Sequence, residues 1–179
     1  EDAAQSFGAT FKERRSCALS DVACTSFFPA KPLGAYGDAG ACFTSDKGLA
    51  NVLRQLRDHG QDRRYHHTRL GINGRMDTLQ AAVLLAKMDV FEDELFLRRE
   101  VAARYTKQLH ELQREGILIL PQVKPGDTST WAQYTVRVKN RDSLQSAMAD
   151  RGIPTSVHYP VPLYDQPALL QKDVRCPET

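Results

Sequence analysis

Between two short apolar runs the chain holds a single lysine that its backbone leaves little freedom to move. The stretch Ser26-Phe27-Phe28-Pro29-Ala30-Lys31-Pro32-Leu33-Gly34-Ala35-Tyr36-Gly37-Asp38-Ala39-Gly40 leads on into Ala41-Cys42-Phe43-Thr44. Pro29 and Pro32 fix the backbone on either side of Lys31, while Gly34, Gly37 and Gly40 permit close approach to another body. Strand, irregular loop, strand is the expected local fold, with 23–28 and 40–44 as buried strands of a large sheet. Surface lysines usually ride polar helix faces. One held between buried strands is a candidate amine nucleophile, the kind that condenses with a carbonyl; the alternative is a structural loop lysine.

Composition narrows the function classes. A chain of 179 residues holds one compact domain, or one and a fraction. A net charge of +2, with basic residues scattered among acids, argues against a nucleic-acid-binding module built on Arg63, Arg64, Arg69 and Arg75. No apolar run approaches the roughly twenty residues a membrane helix needs, so no membrane contact and a cytoplasmic location are expected. Cys17, Cys24, Cys42 and Cys176 lack the spacing of a disulfide framework or a zinc site. They read as reduced thiols, Cys24 and Cys42 as small buried hydrophobes, and no metal is expected.

Downstream, Ser45 or Asp46 is expected to cap a helix through Leu49, Val52, Leu53 and Leu56, with Gly60 as its stop. Residues 61–73 read as a polar, basic, irregular segment, long enough to be functional or an oligomer contact. Asp77 with Gln80 forms a capping-box pattern that opens a helix through Leu79, Val83 and Leu84. A second amphipathic helix follows, with Phe96, Val101, Tyr105, Leu109 and Leu112 as its expected buried face. Beyond Gly116 come a loop over 121–130, a strand over 132–138, a short helix over 141–151 and a strand over 155–159, the makings of a small α+β domain.

Five motifs occur in order along nearly the whole chain. They are Asp2-Ala3-Ala4-Gln5, the lysine stretch, His59-Gly60-Gln61-Asp62-Arg63-Arg64-Tyr65-His66-His67, Gly71-Ile72-Asn73-Gly74-Arg75-Met76-Asp77, and Gln80-Ala81-Ala82. Together they resemble the sugar-nucleotide aminotransferases of the DegT/DnrJ type, fold-type I pyridoxal phosphate enzymes. The resemblance is closest to the branch that aminates C3 of UDP-linked 2-acetamido-3-keto-hexuronic acids for bacterial surface polysaccharides such as O-antigen. Ala39 departs from the pattern, standing where the family usually has a second glycine. The resemblance implies an α/β fold in three parts. Residues 1–90 would be the C-terminal part of the large, aspartate aminotransferase-like domain, 91–116 a linking helix, and 117–179 a small α+β domain truncated at its end. It also implies a piece lacking the family's N-terminal part and, with it, the residue that stacks on the cofactor ring.

The resemblance assigns roles to particular residues. Lys31 carries pyridoxal phosphate and shuttles protons, and Asp2 keeps the pyridine nitrogen protonated. Gln5 contacts the ring oxygen and Ser26 the phosphate. Asn73 reaches across a homodimer to the partner's cofactor phosphate. Taken alone, Asp2 is a turn or cap residue, Ser26 a buried serine satisfied by backbone, Asn73 a turn residue and His158 an ordinary strand-end histidine. Arg75 suits bidentate reading of a uronic carboxylate or a nucleotide diphosphate, and His158-Tyr159, stiffened by Pro160 and Pro162, complete the expected substrate contacts. The implied reaction moves the amino group of glutamate to a nucleotide-linked keto-sugar. Family dehydratases carry histidine in place of the lysine, so Lys31 speaks against that chemistry. A non-catalytic remnant that only folds or dimerises stays open.

Overall fold

A computed structural model describes residues 1–169, and internal packing divides the chain into two units, Glu1–Val136 and Arg137–Thr179. The first unit opens with a hairpin of β1 (Thr10–Phe11) and β2 (Arg14–Arg15). Lys12 and Glu13 turn it at φ 48° and 64°. Such turns normally recruit glycine or asparagine, so nothing in the local sequence announces this one.

β3 (Ala23–Ser26) pairs antiparallel with β4 (Gly40–Phe43), and the lysine loop joins them as expected. The backbone of Cys24 points the other way. Its N–H donates to the Glu1 carbonyl (2.9 Å) and its carbonyl accepts from the Ala3 amide (2.7 Å), so the N-terminal segment runs parallel beside β3 and bridges at Asp2. Ala23, Thr25 and Phe27 are buried, whereas Cys24 is exposed and Ser26 half-buried. These strands therefore have one covered face rather than the two that were expected. The same alternation corrects the reading of Cys24 and Cys42 as buried: both are exposed free thiols, opposed across the ladder with sulfurs 3.6 Å apart. Cys176 lies outside the described residues.

α1 (Lys47–Arg57) begins where Asp46 Oδ1 accepts from the Leu49 amide at 2.7 Å, the expected cap. Gly60 ends the turn beyond it, its N–H bonding the Gln55 carbonyl at 2.8 Å. Its φ is +74°, and a Cβ there would lie 1.9 Å from the Arg69 carbonyl oxygen. That close approach lets the Gly60 carbonyl accept from both Thr68 and Arg69 (3.0 and 3.1 Å). The segment expected to be irregular thus contains a hairpin, β5 (Gln61–Arg63) with β6 (His66–His67).

α2 (Thr78–Met88) and α3 (Phe91–Arg114) follow. Asp77 precedes α2 but makes no side-chain cap bond, so the capping box is not formed. On α3 the buried residues are Phe91, Leu95 and Ala102, not the expected stripe; Phe96, Val101, Tyr105 and Leu112 are 56%, 40%, 49% and 37% exposed. The helix carries more apolar residues than one face can hold. The face that is covered packs Phe91 and Leu95 with Leu84 of α2 and with Phe27, Leu33 and Ala35 of the lysine loop and its lead-in. Phe7 meets Phe27 edge-on at 5.4 Å. Each large side chain buried in this cluster contributes about 1.5–3 kcal/mol.

After β7 (Leu118–Ile119), residues 121–130 return to the N-terminal segment. Thr10 and Thr128 exchange both backbone hydrogen bonds (3.3 and 3.0 Å), and the Thr130 hydroxyl donates to the Gln5 carbonyl at 3.0 Å. The strand expected over 132–138 is reduced to β8 (Arg137–Val138). Tyr134 stacks on Trp131 and on Tyr105 of α3 (5.4 and 5.2 Å) and shares a hydrogen bond with Thr106 at 2.8 Å. Aromatic packing on a helix has replaced ladder pairing there. The second unit holds β8, α4 (Arg141–Ala149) and a 3₁₀ turn at Leu163–Asp165. The strand expected over 155–159 is absent among the described residues, since the backbone there finds no ladder partner.

Candidate functional site

Lys31 is half-buried in a loop that closes on itself. The Lys31 amide donates to the Phe28 carbonyl at 2.9 Å and the Ala35 amide to the Phe27 carbonyl at 2.8 Å. Gly34 makes the fold-back possible, for a Cβ there would come within 2.4 Å of the Pro29 carbonyl oxygen. Residues 32–35 are buried beneath this turn. The backbone is therefore packed and bonded, while the Lys31 amine makes no hydrogen bond or ion pair among the described residues.

Asp2 and Ser26 belong to the same neighbourhood. Asp2 bridges Cys24, and Ser26 lies two residues further along β3 on the same face, about 7 Å away by strand geometry. Among the described residues Asp2 Oδ1 accepts from the Ala4 amide (3.1 Å), and Ser26 Oγ from the Phe28 amide (3.2 Å). Asp2 is exposed at the bridge and Gln5 on the turn that follows it. Asp2 and Ser26 thus lie along one edge, with Gln5 on the turn after Asp2 and Lys31 in the loop that follows β3. This donor set fits a group that carries an aldehyde, a ring nitrogen and a phosphate.

Asn73 and Arg75 form a second cluster, at the C-terminal end of α1, with no hydrogen bond to the lysine loop among the described residues. Asn73 bridges Asp58, and the neighbouring Ile72 carbonyl accepts from His59 at 2.9 Å. Arg75 donates to Asp58 Oδ1 at 2.5 Å and lies 3.1 Å from His59 Nε2. Hydrogen bonds from Gln61 first, and then from Arg75, hold the Asp58 carboxyl below the usual carboxylate range. Part of the Arg75 fork is thus committed, with its side chain still 49% exposed. His158 and Tyr159 are exposed in the second unit.

Sequence reasoning missed the part that three residues play in holding this architecture. Gln80 Oε1 accepts from the Tyr36 amide at 2.8 Å, which explains its absence from the cap of α2. Lys87 donates to the Gly34 carbonyl at 2.6 Å and lies 4.9 Å from the Tyr36 ring centre. Thr130 is 1% exposed and ties down Gln5. No local signal points to these contacts, because each partner lies more than forty residues away in the chain.

A family model described as DegT/DnrJ/EryC1/StrS aminotransferase family matches residues 1–179. The chain is 55% identical over 177 residues to UDP-2-acetamido-2-deoxy-3-oxo-D-glucuronate aminotransferase of Pseudomonas aeruginosa, a match covering 99% of this chain and 48% of that protein. A DegT DnrJ EryC1 StrS aminotransferase from Brucella abortus superposes with TM-score 0.88 at 43% identity, over 94% of this chain and 44% of that one. NtdA from Bacillus subtilis, solved with bound cofactor PMP, superposes with TM-score 0.74 at 32% identity, over 79% of this chain and 34% of that one. The chain spans about half the length of the curated relatives it matches. The α/β, aspartate aminotransferase-like fold expected from the motifs is the fold found.

Proposed function

We propose that this chain, which belongs to the DegT/DnrJ/EryC1/StrS aminotransferase family, carries the lysine-bearing part of a pyridoxal-phosphate-dependent aminotransferase. Its substrate would be a UDP-linked 3-keto-N-acetylhexuronic acid, with glutamate as amino donor, in a route to bacterial surface polysaccharide. The observation that carries this reading is the uncommitted Lys31 amine on a packed loop, beside a strand edge that carries Asp2 and Ser26. In domain terms, 1–90 would be large-domain structure, 91–116 a linking helix and 117–179 a small domain.

Pyridoxal phosphate, when bound, supplies an electron sink for the pair released when a C–H bond next to nitrogen breaks. This chain's own residues supply the rest. Lys31 offers its lone pair to a carbonyl and, once released, takes and returns the proton at the reacting carbon. Asp2 keeps a proton on the ring nitrogen by charge pairing. Ser26 donates to phosphate, Gln5 to the ring oxygen, and Asn73 to the phosphate bound by a partner subunit, so that a homodimer shares its sites. The exposed part of the Arg75 fork, with His158 and Tyr159, would receive the acidic nucleotide sugar.

Borohydride fixation of the full-length enzyme with pyridoxal phosphate, followed by peptide mapping, tests the assignment. Label on Lys31 is expected. Label on another lysine, or none, refutes it.

A further inference from the structure

We infer that Gln80 and Lys87 are positioning residues for the loop that presents Lys31, acting as two polar ends of a clamp built on one stripe of α2. The inference rests on the aminotransferase reading for its consequence in catalysis, though not for the clamp itself. Gln80, Leu84 and Lys87 are spaced four and three residues apart, so they share one face of the helix. All three touch the segment after Lys31. Gln80 accepts from the Tyr36 amide at 2.8 Å, Leu84 packs in the cluster with Leu33 and Ala35, and Lys87 donates to the Gly34 carbonyl at 2.6 Å.

The two hydrogen bonds hold backbone, not side chains. The amide of Tyr36 and the carbonyl of Gly34 flank Ala35, whose own amide closes the lysine loop on the Phe27 carbonyl at 2.8 Å. The exit of the loop is thus bonded on three sides, and Lys31 lies three residues before the first of those anchors. Gly37 leaves room for the Gln80 side chain, since a Cβ there would lie 3.0 Å from Gln80 Nε2. Lys87 is half-buried and has no carboxylate partner among the described residues. A carbonyl dipole and the face of Tyr36 at 4.9 Å receive its charge instead. A cation kept in that setting holds the loop more firmly than an apolar side chain of the same length, which bonds no carbonyl.

Full-length enzyme carrying Gln80→Leu, Gln80→Glu, Lys87→Met or Lys87→Arg tests the clamp. In the cofactor-free protein, hydrogen exchange at the Tyr36 amide should accelerate about fivefold in Gln80→Leu, the effect of losing one hydrogen bond. It should return toward the parent rate in Gln80→Glu, which keeps an acceptor oxygen. With pyridoxal phosphate and borohydride, fixation on Lys31 should slow about fivefold or more in Gln80→Leu and Lys87→Met, and recover in Gln80→Glu and Lys87→Arg. Parent-like exchange and fixation in Gln80→Leu, or equal losses in the Leu and Glu variants, would overturn the inference. Should Gln80→Leu fail to fold, exchange of the loop amides in Lys87→Met against Lys87→Arg decides the point, and equal rates refute it. If the parent enzyme itself is not fixed at Lys31, the aminotransferase reading fails while the exchange data still judge the clamp.

Discussion

Replacing Thr25 with valine isolates one of the bonds that fasten the Asp2 segment to the lysine strand, the others being backbone pairs at Cys24. Thr25 is 7% exposed, and its hydroxyl donates to the carbonyl of Ala3, itself fully buried, at 2.9 Å. Valine fills the same volume, so no cavity adds to the cost. A buried carbonyl stripped of every donor costs about 1–3 kcal/mol. Here the Ala3 carbonyl keeps a second donor, the Ser6 amide at 3.1 Å, so the desolvation penalty is largely avoided. What remains is the net value of one hydrogen bond, about 1 kcal/mol, or roughly fivefold in the folding equilibrium. Urea unfolding of the full-length, cofactor-free protein measures it as a fall in the midpoint at unchanged m. Thr25→Ser keeps the donor but removes a methyl group, and so separates the bond from packing. Equal stability of the valine variant and the parent would mean that the hydroxyl contributes nothing. A loss beyond about 3 kcal/mol would mean that the Ser6 bond fails as well, and the estimate is wrong.

Other outcomes follow from the same contacts. Gly60→Ala, with its φ of +74° and its clash on the Arg69 carbonyl, should destabilise by more than about 1 kcal/mol and disturb the β5–β6 hairpin, readable as a drop in melting temperature; an unchanged value counts against the clash. The depressed Asp58 carboxyl stabilises the fold above its ordinary range, and that contribution disappears as pH falls through the lowered folded value. Carboxyl NMR titration of Arg75→Ala should therefore show the Asp58 midpoint moving upward but still depressed by Gln61; no movement would detach Arg75 from that pair. Mixing Lys31→Ala chains with Asn73→Ala chains should restore activity above either parent variant, since a hybrid dimer with shared sites keeps one intact; no recovery argues for unshared sites.

Features set by neighbours three or four residues apart were legible in the sequence. Asp46 caps α1 because its carboxylate reaches an amide three residues on, and the helices over 47–57, 78–88 and 91–114 follow from short-range periodicity. The lysine loop was legible for a related reason: proline and glycine restrict and free the backbone wherever they stand. Local chemistry raised Lys31, the family resemblance added Asp2 and Ser26, and the bridge at Cys24 brings Asp2 beside the strand that leads to the lysine.

Tertiary structure decided the rest wherever a side chain had two possible partners. Gln80 had a local use in the cap of α2 and took a distant one at Tyr36, because an amide in the folded loop also needed an acceptor. α3 carried apolar residues around much of its surface, and only the position of Phe27, Leu33 and Leu84 selected Phe91 and Leu95 as the buried set. Tyr134 suited a strand by alternation and was held instead by Trp131, Tyr105 and Thr106. A sequence records which groups each residue can satisfy; which of them comes within reach depends on chain segments far away in number and near only after folding.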